Sequence, residues 1–196
     1  MTSAAGKAAQ LHLRVDADNR LLWRMNSRRA EAETVRDSLL AVCGSLDSTM
    51  GGPEIAETAG EEIYRRSLYF RLTPNEKMKM LEVFDVADPN ACYRRQVSVI
   101  PQQALALSNS RLALEQTQRL ADRLTAVHAE PNGFVRAGFE TVLSRPVVTA
   151  ELARCLGFLS TQTEALRQAG VADAARRAAG NLIHVLLNHN DFVTIR

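Results

Sequence analysis

The residues best able to do chemistry in this chain are arginines, aspartates and one cysteine. They gather around "YRRSLYFRL" at 64–72 and "DVADPNACYRR" at 85–95. With Asp37 from an upstream helix, the candidate polar cluster is Asp37, Arg65, Arg66, Asp85, Cys92 and Arg95. Two chemistries suit it. Guanidinium forks bind phosphate, sulfate or carboxylate in bidentate geometry, and Arg94 and Arg95 beside Cys92 would lower the pKa of its thiol. Neither is specified further. "MGGPE" at 50–54 lacks the Lys and Ser/Thr of a phosphate loop and reads as a turn. No histidine stands near Cys92 as a base, and a nucleophile without a base is weak evidence for catalysis. Asp85 and Asp88 follow a helix, where carboxylates ordinarily bind local backbone or arginine. The catalytic residues are therefore unknown. The favoured reading is a structural ion pair between Arg66 and one of Asp37, Asp47, Asp85 or Asp88, because a buried unpaired charge costs several kcal/mol.

No metal and no cofactor is expected. His184 and His189 are five apart and miss the i, i+4 stacking of helical metal sites, and His12 and His128 lie elsewhere. Cys43, Cys92 and Cys155 form no CxxC motif, and their disulfide state is open. With 24 basic and 22 acidic residues the chain is nearly neutral. No dense basic stretch with interleaved aromatics appears, which disfavours nucleic acid as a partner. The N-terminus has no signal-peptide run, and no segment approaches the roughly 20 apolar residues of a membrane helix. Membrane insertion is not expected, and the chain as written would be cytoplasmic.

The elements that must position these groups come from periodicity. Hydrophobic residues make up 46% of 196, enough for one well-cored domain. Residues 1–19 are Ala-rich and polar and read as a flexible N-terminal arm; 20–196 reads as a single helical domain. Asn26 or Ser27 caps a helix over 27–43, with Ala32, Val35, Leu39 and Val42 inward and Gly44 as its stop. Alternation over 63–72 predicts a strand that places Tyr64, Arg66, Leu68, Phe70 and Leu72 on one apolar face. Its pairing partner is expected at 192–195. "TPNEKMKMLEVF" starts like a helix, with Thr73 as cap, Pro74 first and Glu76 closing a capping box. A helix from Pro101 carries Leu105, Leu112, Leu120, Leu124 and Val127 on one stripe, with Asn109 and Ser110 able to divide it. Further helices are expected from Asn132 to Leu143 and, capped by Thr149, over 150–167. The last shows Ala175, Ala178, Ala179, Leu182, Ile183 and Leu186 at helical spacing. The fold class is mostly α, an irregular helical domain with one or two short β-strands. In it helix 27–43, strand 63–72 and the Pro101 helix meet around the Arg–Asp cluster. Arg66→Ala should then lower stability markedly.

Four stretches together resemble a family of unknown function. "NRLLWRMNSRRAEAETVRDSLLAVCGSLDSTMGGP", "YRRSLYF", "FDVADPNACYRRQVSVIPQQALALSNS" and "NLIHVLLNHNDFVTI" resemble, in order, the planctomycete-specific domain, unknown-function family fifteen-fifty-three. The resemblance covers 19–196 and is to its C-terminal portion, since members usually have further sequence upstream. Its family-like positions are Arg24, Asn26, Arg36, Asp37, Gly51, Gly52, Arg65, Arg66, Asp85, Cys92, Arg95, Pro101, Gln103 and Asn109. The family implies a periplasmic or extracellular setting within long bacterial proteins that carry cytochrome c-like domains, and it implies no catalytic residues. Two functions follow as expectations. One is a non-catalytic binding or scaffold module of a larger exported multidomain protein, whose partners are the other domains of that parent. The other is an enzyme or enzyme part with an Arg/Asp-lined site for a small anion, a carbohydrate-derived substrate among the candidates.

Overall fold

The computed structural model describes residues 11–91 and 98–195. It is mostly helical, as the periodicity predicts, with a single two-stranded sheet among the described residues. In chain order these are β1 (Arg28–Arg29), α1 (Ala32–Val42), α2 (Lys79–Val83), α3 (Pro101–Asn109), α4 (Arg111–Val127), α5 (Pro131–Leu143), α6 (Thr149–Gln168), α7 (Ala174–Leu187) and β2 (Thr194–Ile195).

The C-terminal half is a helical assembly built on α7. That helix buries Ala174, Ala178, Ala179, Leu182, Ile183, Leu186 and Leu187, and packs on α4, α5 and α6. The predicted stripe holds except at its first position, where Ala174 takes the buried place and Ala175 is exposed. α4 answers with Leu112, Ala113, Leu120, Ala121 and Leu124. Leu105 and Val127, expected on the same stripe, face water instead. Leu105 lies on α3, ahead of the break where Ser110 ends that helix and its hydroxyl accepts from the Ala113 N–H at 3.3 Å to start α4, and Val127 is the last residue of α4. α6 has no fully buried residue and lies across the outside of α7.

The N-terminal half departs further from expectation. Residues 27–31 are not helical: β1 pairs antiparallel with β2, Arg28 opposite Ile195 and Arg29 opposite Thr194. α1 begins only after Glu31, with no side-chain cap. The predicted strand at 63–72 is a turn containing a 3₁₀ segment, Ser67–Tyr69. Its backbone pairs only at two isolated bridges, Asp47 with Arg65 and Ile55 with Phe70. The partner of β2 is therefore β1 and not 63–72. Thr73 does accept from the Glu76 N–H at 3.0 Å, but it closes a local turn, and α2 starts later, after Met78. Of the arm expected at 1–19, residues 1–10 lie outside the described residues; 11–15 are helical, and Asn19 is buried.

Candidate functional site

The polar centre of the N-terminal half is Arg36, not Arg66. Arg36 sits on α1 between Val35 and Leu39, on the apolar face, and is completely buried. No carboxylate forms an ion pair with it among the described residues. Its guanidinium donates instead to backbone carbonyls and one hydroxyl: Arg65 O at 2.9 Å, Gly60 O at 3.0 Å, Ile63 O at 2.5 Å and Ser67 Oγ at 3.3 Å. It also lies over the Phe70 ring at 4.7 Å. Burial pulls the guanidinium down to about 10, and neighbouring Asp37 partly offsets this. The turn at 60–67 has no ladder of its own, so buried carbonyls there need a donor, and one fork supplies four. Gly60 packs against Met78: a Cβ there would stand 2.5 Å from Met78 Cγ, so a larger residue would require that side chain to move.

Arg66 points outward, its side chain 53% exposed, and its Nε reaches Asp37 Oδ2 at 3.4 Å. Asp37 is one of the four aspartates considered for it, and the inward placement expected of Arg66 is not found, because a turn, unlike a strand, does not place alternate residues on one inward face. Asp37 is held firmly by its other oxygen, which accepts from the Ser67 N–H at 2.7 Å. Arg65 turns away from both. It stacks over Tyr69 at 3.9 Å and donates to the carbonyls of Thr49, at 3.2 Å, and Gly51. Gly51 and Gly52 lie in an irregular segment at φ of +77° and +91°, in the left-handed region that favours glycine. Beside Arg66 is a shallow depression of about 380 Å³ bordered by Asp37, Ser38, Leu46 and Leu68.

Asp85 belongs to a different network. At the end of α2, in the left-handed region at φ +60°, it accepts from the Ser98 N–H at 2.7 Å and the Ser98 hydroxyl at 2.8 Å. Gln103 of α3, 1% exposed, donates to Val83 O and Ser98 O at 3.1 and 3.2 Å. The Pro101 helix thus serves this network and gives Arg36 and Asp37 no hydrogen bond. Cys92 and Arg95 lie outside the described residues. Cys43 and Cys155 are free thiols, and burial pushes Cys43 up to about 12, away from reactivity. Of the histidines, His12 meets Trp23 edge-on, His184 Nε2 lies 3.3 Å from Leu107 O, and His189 pairs with Asp191.

Sequence reasoning missed two features. A cleft of about 690 Å³ opens between the 57–62 segment, the start of α2 and the α3–α4 junction. Met78, Met80, Val83 and Leu105 give it an apolar lining, and Glu57, Glu61 and Glu62 stand along one side. Its parts come from three places in the chain, so no local pattern announces it. The second feature is a charged knot at the α5–α6 corner. Arg145 grips Glu151 at 2.7 and 2.9 Å and Asp191 at 2.8 Å, and lies over Phe139. The Arg145 guanidinium holds the Glu151 carboxyl down at about 2. Glu151 also accepts from the Val148 N–H at 3.0 Å, a cap expected of Thr149. The knot ties the C-terminal tail to the helical half.

One family model, described as PSD1, protein of unknown function (DUF1553), matches residues 2–159. The match begins ahead of residue 19, where the resemblance was expected to start, and stops before the terminal 181–195 stretch. No curated protein and no solved structure matches the chain.

Proposed function

The chain belongs to the PSD1 family of proteins of unknown function, and from that premise we propose that it is a non-catalytic binding or scaffold module that acts through its surfaces. We place it in the C-terminal portion of the planctomycete-specific domain, within a larger exported protein that also carries cytochrome c-like domains. The observation behind this reading is the occupation of the polar cluster. The terminal N–H groups of Arg36 go to carbonyls and Ser67, Asp37 is held by Ser67 and Arg66, Arg65 by carbonyls and a ring, and Asp85 by Ser98, while the enclosed Nε of Arg36 and of Arg65 meets no acceptor. Groups so held fix a fold; a catalytic carboxylate or guanidinium needs a face turned to substrate. What remains available is the 690 Å³ cleft, within the size range of binding sites and apolar within.

One observation favours the second reading, an enzyme part acting on a small anion: the half-exposed Arg66 borders an open depression with Asp37. Thermal-shift titration with phosphate, sulfate, glucuronate and galacturonate separates the two. The module reading expects no saturable change in melting temperature. A saturable rise that Arg66→Ala abolishes would overturn it in favour of the anion site.

A further inference from the structure

The α4–α5 corner carries a reactive pair that the fold leaves unguarded. Asn132 is followed by Gly133, the one Asn–Gly pair in the sequence. An asparagine carboxamide is open to attack by the backbone nitrogen of the next residue, and a glycine there, with no Cβ, obstructs the approach least. A folded chain ordinarily prevents the reaction by holding the carboxamide, or that next N–H, in hydrogen bonds.

Neither restraint is in place at Asn132. The residue is exposed, and its carboxamide takes part in none of the hydrogen bonds among the described residues. α5 begins at Pro131, its N-cap Glu130 supplies no side-chain bond, and its first backbone bond runs from the Phe134 N–H to Glu130 O at 3.0 Å. Gly133 is thus among the first residues of a helix, whose N–H groups have no partner within it, and none of the described residues accepts from it. Ala129, Glu130 and Pro131 are exposed, and burial starts at Phe134 and Val135. The turn that carries Asn132 can therefore leave helical geometry for the loss of one backbone bond, as local opening without global unfolding. Other asparagines are guarded. The Ser110 N–H that follows Asn109 is bonded to Ala106 O at 3.1 Å. Asn188 donates to His184 O and accepts from the Ser108 hydroxyl, each at 2.9 Å.

We infer that Asn132 is a site of spontaneous modification, converting to aspartate and isoaspartate in the folded chain. The Gly133 nitrogen bonds to Asn132 Cγ, the Cγ–Nδ2 bond breaks, and the departing amide group takes the Gly133 proton and leaves as ammonia. Water then adds to one of the two carbonyl carbons of the five-membered ring and reopens it. Opening on one side gives aspartate. Opening on the other gives isoaspartate, in which the main chain runs through the former side chain. The net change exchanges a side-chain amide and water for a carboxylic acid and ammonia, and nothing is oxidised or reduced. Aspartate as the second residue of α5 puts a negative charge at the positive end of the helix, so that product keeps the first turn. Isoaspartate lengthens the backbone by one carbon and breaks it.

Incubating the full chain for weeks at mildly alkaline pH tests it, with peptide mapping by electron-transfer fragmentation, which distinguishes the two products. Asn132 should convert while Asn109 and Asn188 keep their amides. Gly133→Ala should abolish the conversion. A Cβ at that position meets His128 at 3.5 Å, an ordinary contact, so the variant should melt like the wild type. Urea below the unfolding transition gives a second measurement that needs no variant: opening of the first turn alone predicts a conversion rate that hardly changes as urea is added. An amide that persists at 132 overturns the inference, as does equal conversion at Asn109 or undiminished conversion in Gly133→Ala. A rate that climbs in step with the unfolded fraction overturns it as well, since the folded chain would then be protected.

Discussion

From Arg111 onward the backbone bonds itself in long helices, and what α4 and α7 bury between them is chiefly hydrocarbon. From residue 44 to 78 the backbone runs through turns and isolated bridges, and a guanidinium lies in its interior. The contrast is one of backbone satisfaction. A helix interior has its carbonyls paired within the element, so packing can be left to Leu, Ile and Ala. An irregular segment that is buried has carbonyls facing inward, and something must donate to them. Arg36 does this for 60–67, and Gln103 does it for Val83 and Ser98. Even the buried Gln116 of α4 turns its amide oxygen toward this half, accepting from the Ser45 hydroxyl at 2.5 Å. Among the described residues Arg36, Gln103 and Gln116 each turn a polar group toward irregular backbone or its side chains, whereas the buried Thr117 donates to Ala113 O within its own helix.

The comparison can be broken most severely at Arg36. Arg36→Met keeps the apolar stem and removes the donors, leaving three carbonyls and a hydroxyl without their partner. We expect a loss of about 3–5 kcal/mol, since each buried acceptor left unsatisfied costs about 1–3 kcal/mol, read as a lower denaturant midpoint. In the helical half the corresponding lesion is a cavity. Leu120→Ala, at a fully buried position, should cost about 3 kcal/mol in the same measurement. Arg145→Ala removes the knot and should cost about 2 kcal/mol, the scale of charge-assisted hydrogen bonds. Its signature is in pH. Folded Glu151 titrates near 2 against an ordinary value of 4.5. Its stabilisation is therefore complete above 4.5 and fades as pH falls toward 2; the variant should lose that part of the acid dependence in pH-resolved melts. Arg66→Ala should cost least, under about 1 kcal/mol, as exposed pairs do. A loss as large as that of Arg36→Met would place the polar centre at position 66 after all.

Legibility in the sequence follows the same division. The α7 stripe and the α3–α4 break at Asn109–Ser110 could be read directly, because helical burial repeats at a fixed spacing and Ser110 is a capping residue. The alternation at 64–72 pointed to a strand, yet apolar alternation sets faces only where a ladder exists, and here the Gly60, Ile63 and Arg65 carbonyls go to Arg36. Asp37 was among four aspartates proposed for Arg66 and is the one it meets. A signal for Arg36 was present. It lies four residues after Ala32 and three before Leu39, a charge within the stripe read as α1's inner face. The Arg145 knot joins residues 6 and 46 apart, and the cleft joins three segments. Neither leaves a spacing to find.

Guanidinium-resolved NMR tests the central claim most directly, comparing the side-chain Nη–H signals of Arg36 and Arg66 in one sample. The account predicts separate, slowly exchanging Arg36 signals, locked by bonds to Gly60, Ile63 and Arg65, and Arg66 signals averaged by rotation and exchange with water. Locked signals from Arg66 and averaged ones from Arg36 would contradict it.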